Sequence, residues 1–573
     1  MLVNDYALKL AIHWQAGDWV RISEFQQAQL SDIDNKAEAA LMVSVACLQV
    51  AENKKALQAL QWAKQWGASK ELQARYLIKG VYNTLALARL IDDTSTAELL
   101  FCKANEVSDN INVLDELSQQ NYLQQQTHFF QLIQHLASRN NKAKEVTRLK
   151  TLNLGYAWAG NTINTVIFRH HAIFTAHNYQ YTAFYVDTRT LRVVKRNLDN
   201  SSKSNEIETF DIKGEYNLKD AHNSISLAMD RQGYLHLSYD HHGSTLHYRR
   251  SIKSYQIDGW SEELSMTGEN EKKVTYPTFI MPQNNTPLLI LYRDGNWKRG
   301  SAYLKYYDES LQGWFDYFTP ILSGADQQPW TSNAYWNNPV MDQYGCLHLS
   351  YTWRTDYFSD EQLINNINID YAKSFNQGFN WLTSKNQPYN LPITQVNSET
   401  VWPISPGSNH INQTSMALDS KGYPHIVFYA NDMNDVPQYQ HIWFNGTSWQ
   451  HSWVSERTEG FKLVGGGTLQ IPISRPEIII DRDDTVYIIY RAEDTEQKLV
   501  ANYITAPSYE FYSENTLILW DEPVGQAEPI IDRIRWQKEQ VLTMLVQYNE
   551  QPNGDTDHKD IEKDILLIDL KFN

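Results

Sequence analysis

The sequence predicts a multidomain α+β chain: an all-α, helical-repeat (tetratricopeptide-like) domain over residues 1–150, then an all-β seven-bladed β-propeller over 151–573. Three observations predict it. Residues 1–150 hold only Gly17, Gly67 and Gly80 of the 25 glycines, and all 18 prolines lie at or after Pro277. Near residue 155 the apolar spacing changes from a helical period to alternation, which puts every second side chain on one face. From there a unit of strand, polar turn and strand recurs seven times, and radial repetition of such units hides their sheet edges. At 573 residues the chain also exceeds one ordinary core.

The helical part comes first. Ala39, Leu41, Met42, Val45 and Ala46, and then Leu57, Leu60 and Ala63, fall on helical stripes. Gly67 reads as a helix stop and Gly80 as an interruption. Helices of roughly 12–18 residues in pairs suggest stacked α-hairpins, although the tetratricopeptide consensus is not visible. No chemistry attaches to this domain. Its expected role is packing or a protein partner, such as an assembly or export machine.

The repeated unit shows as Ser224–Asp240, Asn338–Tyr351, Ser415–Tyr429 and Glu477–Tyr490, each with an Asp closing the first strand. Looser copies begin near Asn164, Tyr276 and Pro529. Seven starts roughly 50–80 residues apart leave room for four short strands each. Ser374–Trp381 (SFNQGFNW) has the spacing of a degenerate Asp-box turn, the Ser-x-Asp-x-Gly-x-x-Trp signature of sialidase-like blades.

Composition narrows the function. A net charge of −17 argues against nucleic acid as a partner. The 34 Tyr and 18 Trp favour strands and sugar-stacking surfaces. Cys47, Cys102 and Cys346 are scattered and make no disulfide framework. No run approaches the ~18 apolar residues of a membrane span. The first residues read as amphipathic helix rather than signal peptide, so the expected location is cytoplasmic, with export by another route left open.

In a propeller the first strands of the blades line a central channel, so residues at the seven starts converge at its mouth. His222 precedes one hairpin and His241/His242 close it, which brings His222 and His242 side by side. Asn161, Asn164 and the run His177–Tyr181 come from blade one, and Asn223 from blade two. Blade three gives Tyr276, Tyr292 and Arg293, and blade four gives Asn333, Tyr335 and Trp336. Asn412, Gln413 and Arg475 come from blades five and six. The set lacks the close carboxylate pair of a glycoside hydrolase and the three-arginine cluster of a sialidase. It suits β-elimination from a uronic acid. Arg293 would pair with the C5 carboxylate, one of His222, His242 and Tyr276 would take the C5 proton, and the same residue (syn elimination) or another (anti) would protonate the leaving O4. That chemistry requires no cofactor.

The stretches Asn161–Asp187, Asp220–His242, Tyr276–Gly295, Asn333–Asn337 and Asn412–Asp432 resemble the BNR-repeat family that includes the propeller ulvan lyases. The most specific motifs are Asp-Ala-His-Asn, Tyr-Asp-His-His, Leu-Tyr-Arg-Asp-Gly and Asn-Ala-Tyr-Trp-Asn. The resemblance implies His222 and His242 in the active site, Arg293 as carboxylate neutraliser, Tyr276 in acid–base transfer and Tyr335 in the cleft. Asn223, Asn164, Asn333, Trp336 and Tyr292 are the expected substrate-binding residues. It implies an anionic polysaccharide or oligosaccharide as partner: a sulfated, ulvan-like polymer or a bacterial capsular one. It also admits a structural metal; Cys346, His348, His425 and His441 are candidate ligands that read equally well as core or strand residues. The competing expectation is a non-catalytic glycan-binding propeller with a helical docking domain.

Overall fold

The computed structural model describes residues 5–76 and 144–573, apart from 17, 51, 70–71, 74–75, 170, 200–205, 318, 325–331, 356–362 and 556–558. The chain divides into two units, Met1–Ala143 and Lys144–Asn573.

The described part of the first unit contains the helices Asp5–Ala16, Trp19–Ser23, Gln27–Ser31, Lys36–Gln49 and Asn53–Gln65. Lys36–Gln49 is buried on nearly every side between Ala39 and Leu48. On Asn53–Gln65 the buried stripe is Ala56, Ala59, Trp62 and Ala63; Ala63 is buried as expected, while Leu57 is exposed and Leu60 only partly covered. The small alanines let the two helices approach closely enough for the Ser44 hydroxyl to donate to the Ala56 carbonyl at 2.8 Å. Gly67 ends the helix as expected. At φ +89° it sits in the left-handed region, and the next amide, Ala68, closes back on the Ala63 carbonyl at 2.9 Å. Gly80 and the remainder of the expected repeat lie outside the described residues.

The second unit is a seven-bladed β-propeller of seven antiparallel sheets. The innermost strands are Ile173–Ala176, Ser226–Met229, Val274–Ile280, Ser332–Trp336 with Val340–Met341, Ser415–Leu418, Glu477–Ile480 and Ile530–Ile531. Blade two has three strands, and blade three gains a short inner strand, His242–Ser244. The strand Val146–Trp158 forms the outer edge of the last blade, paired with Glu562–Phe572. It runs across the expected division at 150/151 and ties the start of the propeller to its end.

The sequence repeat has a physical basis in its turns. Asp230 Oδ1 accepts the amides of Gln232 and Tyr234, both at 2.9 Å. Asp342, Asp419 and Asp481 make the same pair of bonds at 2.7–2.9 Å. Six residues on, each Asp faces a strand side chain: His236, His348, His425 or Tyr487. In blade seven the turn widens into a helix, Arg533–Glu539, capped by Asp532. The Asp-box reading also holds. Gly378 N–H donates to Ser374 Oγ at 2.7 Å, Asn380 N–H to Asn376 Oδ1 at 2.9 Å, and Trp381 Nε1 to the Gly378 carbonyl at 3.0 Å.

Candidate active site

A cavity of about 230 Å³ opens in the propeller, and His222, His242, Tyr276, Arg293 and Tyr335 all line it. Each arrives by a different local device. His222 lies on the Asp220–Asn223 turn ahead of blade two, and its amide donates to Asp220 Oδ1 at 2.9 Å. His242 was expected to close the second strand of blade two. Asp240, at φ +61°, instead turns the chain out of that hairpin, and His242 pairs opposite Thr275 on blade three. Alternation sends its neighbour His241 into the core, where Nε2 accepts the His247 amide at 2.6 Å.

Tyr276 sits in a β-bulge. Pairing slips between Thr275 and Thr278, and Tyr276 takes φ +57°, a costly setting for an aromatic residue just before Pro277. Arg293 lies opposite Thr275 on the next strand. Gly300 lets it lie there, because a Cβ at that position would stand 2.8 Å from Arg293 Cδ.

The aromatic groups form one surface. The His222 and His242 rings stack at 4.1 Å, and Phe168 stacks on His222 at 5.5 Å. Tyr276 stands 5.8 Å from His222 and 5.8 Å from Tyr335. The Arg293 guanidinium lies over both tyrosines, 5.2 and 5.1 Å from their ring centres. Arg293 is buried, yet its Nε and Nη1 have no hydrogen-bond partner among the described residues. Its neighbour Asp294 turns away to accept the Lys273 amide at 2.9 Å.

These contacts set the proton affinities. Burial pushes the Tyr276 phenol well above the ordinary phenol range, against the pull of Arg293 and Arg354. Burial works the same way on Tyr335, but there Arg293 and Arg354 prevail and its phenol falls below the ordinary value. Burial also lowers His222, with Asp220 opposing it. The Asp220 carboxyl is held well below its usual range: burial raises it, and the two imidazoles outweigh burial.

The five expected substrate-binding residues do not line the cavity. Asn164 is fully buried and bonds the Trp158 and Tyr185 carbonyls at 3.0 and 2.9 Å. Asn223 donates to the Asn217 carbonyl at 2.8 Å. Trp336 and Tyr292 are core side chains. Asn333 donates to the Asn296 carbonyl at 3.0 Å and supports the Tyr335 hydroxyl from behind. The run His177–Tyr181 begins at the far turn of blade one's first hairpin, away from the channel mouth. A polar residue near a strand start is as readily a backbone clamp as a ligand contact, and the sequence pattern does not separate the two.

The cavity also holds groups that sequence reasoning missed. Arg354 is one of them, lining the wall together with the expected Arg293 and Arg475. Arg354 donates from Nε to Asn366 Oδ1 at 3.1 Å and from Nη2 to Asn412 Oδ1. Arg475 is paired with Glu528, its Nε donating at 2.8 Å. Glu528 also accepts the Ile167 amide at 2.9 Å, so this carboxylate is tied into the wall. Trp297 stands half exposed at the rim, and Gly465, Gly466 and Gly467 form a facing loop. Arg354 sits opposite Asn333 on the neighbouring strand, the same face of blade four as Tyr335. The Trp297 turn carried no motif.

Of the candidate metal ligands, His425 and His441 bond each other at 2.9 Å inside an aromatic cage that includes Trp443 and Tyr509. Cys346, His348 and Asp342 bring ligand atoms within 4.8 Å of one another, and buried His348 Nε2 makes no hydrogen bond among the described residues, with Asp342 Oδ2 3.8 Å away. This trio fits a structural cation. Burial pushes the Cys346 thiol up to about 12, so a cation would have to displace its proton. Held there it would pin a blade-four turn and take no part in the cavity's chemistry.

The fold has solved counterparts. The polysaccharide lyase Uly1 superposes with a TM-score of 0.53 at 13% identity, over 74% of this chain and 99% of that one. A PL25 ulvan lyase, solved with -[GlcA(1-4)Rha3S]- bound, gives 0.52 at 12% identity, over 73% of this chain and 95% of that one. At such identities the likeness is one of fold. No curated protein sequence matches the chain. Within the propeller, residues 179–457 match the family described as BNR repeat-containing.

Proposed function

We propose that the protein is a polysaccharide lyase that cleaves a uronate-containing polymer by β-elimination. One observation carries the reading: the buried guanidinium of Arg293 pairs with no carboxylate among the described residues and lies over Tyr276 and Tyr335 in a cavity shared with two histidines. An unpaired buried cation is costly, and a bidentate carboxylate is the ligand that best relieves it. Pairing the C5 carboxylate with Arg293 withdraws charge and acidifies the C5 hydrogen. Stabilisation of the developing enolate is the largest contribution expected.

The proton affinities divide the remaining roles. His222, lowered by burial, is neutral near pH 7 and acts as the base. Tyr276, raised by burial, keeps its proton and acts as the acid. The C5–H bond breaks towards imidazole and its electrons pass into the carboxylate as an enolate. They form the C4–C5 double bond as the C4–O4 bond breaks, and O4 takes the phenol's proton. Tyr335, beside two guanidiniums, orients the uronate, and Trp297 offers a stacking face at the rim. The likeness to ulvan lyases favours a sulfated rhamnose–uronate polymer, with bacterial capsular uronates as the other class.

The test is a panel of uronate polymers, including ulvan, followed by near-ultraviolet absorbance. Elimination leaves a double bond conjugated to the carboxylate, which absorbs there. Binding to the polymer without any rise in absorbance would establish the glycan-binding propeller in its place.

A further inference from the structure

Asp220 meets two imidazoles at once. Its Oδ1 lies 2.6 Å from His222 Nδ1, and its Oδ2 contacts His242 Nδ1. Thr468 Oγ1 is the other group near His222 Nδ1, at 3.3 Å, so the carboxylate is the closer acceptor. An ionised carboxylate only accepts, so each Nδ1 that faces it carries a hydrogen. Both rings are thereby set as Nδ1–H tautomers, with Nε2 free to take a proton.

The same geometry limits how many protons the pair can hold. The rings stack at 4.1 Å before a single carboxylate. Two imidazolium ions there would repel with one anion between them. The other polar groups facing the pair are the Tyr276 phenol on Val274–Ile280, the Thr468 hydroxyl and, acting through space, Asp555. Among the described residues Asp220 is the carboxylate in contact with both rings.

We propose that Asp220 is a positioning residue that joins His222 and His242 into one unit able to take up a single proton through Nε2. The clamp stands on the geometry alone. Its catalytic consequence rests on the lyase reading: before it takes the C5 proton the neutral unit has none to give through Nε2, so in a concerted elimination O4 is protonated by Tyr276. The imidazolium then returns its proton to the Tyr276 phenolate before the next turnover.

The experiment is long-range proton–nitrogen correlation on full-length protein labelled with ¹⁵N, with His222→Gln and His242→Gln used to assign the two rings. Both are expected as Nδ1–H, taking up one proton between them as the pH is lowered. Asp220→Asn should split the pair, because a carboxamide has one acceptor oxygen and an NH₂ that donates, so one ring switches to Nε2–H. An Nε2–H tautomer on either wild-type ring, two separate protonations, or unchanged tautomers in Asp220→Asn would each overturn the clamp. So would loss of both Nδ1 hydrogens reversed by a chelator, since these three side chains also have metal-ligand chemistry. The wild-type spectrum decides the matter even where Asp220→Asn does not fold. In the absorbance assay Asp220→Asn should lose about 10²–10⁴-fold in kcat with little change in KM. The double variant with His222→Gln should be no slower than His222→Gln alone. A wild type that cleaves none of the polymers counts against the lyase reading and leaves the spectrum to judge the clamp.

Discussion

Arg293 and Arg475 are buried in the wall of the same cavity and are handled in opposite ways. Arg475, on the blade-six side, is held by Glu528 and by the Asn412 carbonyl at 2.9 Å. Arg293, on the blade-three side, keeps Nε and Nη1 without hydrogen-bond partners among the described residues and rests on two phenol rings. The neutralised side is scaffold, and the unpaired side is where the proposed uronate would bind. An arginine's type and depth therefore say little about its role; what sits opposite it decides.

Exchanging the two arginines' fates gives the largest expected effect. Arg293→Ala should lower turnover on a uronate polymer by about 10³-fold, while the melting temperature holds or rises, since an unsatisfied cation is removed. Turnover like the wild type would remove Arg293 from the mechanism. Arg475→Ala should do the reverse, leaving Glu528 alone in the wall and costing about 3–5 kcal/mol in denaturant unfolding. Tyr276→Phe comes next, with a loss of roughly 10²–10⁴-fold in kcat and unfolding near that of the wild type.

Asn164→Ala probes the scaffold behind the site. It should cost about 1–3 kcal/mol, with kcat/KM of the folded protein unchanged. A selective loss of kcat/KM would return Asn164 to the substrate-binding set. The smallest effect is in pH dependence. With His222 lowered by burial, its base form persists as pH falls through the ordinary imidazole range. The acid limb of kcat/KM should therefore lie below that range. Tyr335 ionises below the ordinary phenol value, so an alkaline limb should begin early and move upward in Tyr335→Phe. An alkaline limb unmoved by that change would assign it to another group.

The propeller was legible because its repeat is local. An Asp that closes each hairpin bonds two amides within four residues, so the same physics writes the same letters in several blades. Five cavity residues were legible for a related reason, since strand starts point at the channel mouth. Asn164, Asn223, Tyr292 and Trp336 misled because a polar or aromatic residue at such a start can equally clamp backbone or fill core. Arg354 and Trp297 were missed because their positions depend on a neighbouring strand's register and on a loop's reach.

The sequence by itself determined the change of period and the seven units, because these rest on alternation and turn chemistry over short separations; the nearness of His222 and His242 was expected from a hairpin, but blade three delivers it. Tertiary structure alone decided which charges are neutralised. Glu528 reaches Arg475 from another blade, and Asp220 spans two rings twenty residues apart in the chain. Such pairings depend on how the blades close into a ring, a long-range constraint that no local pattern encodes.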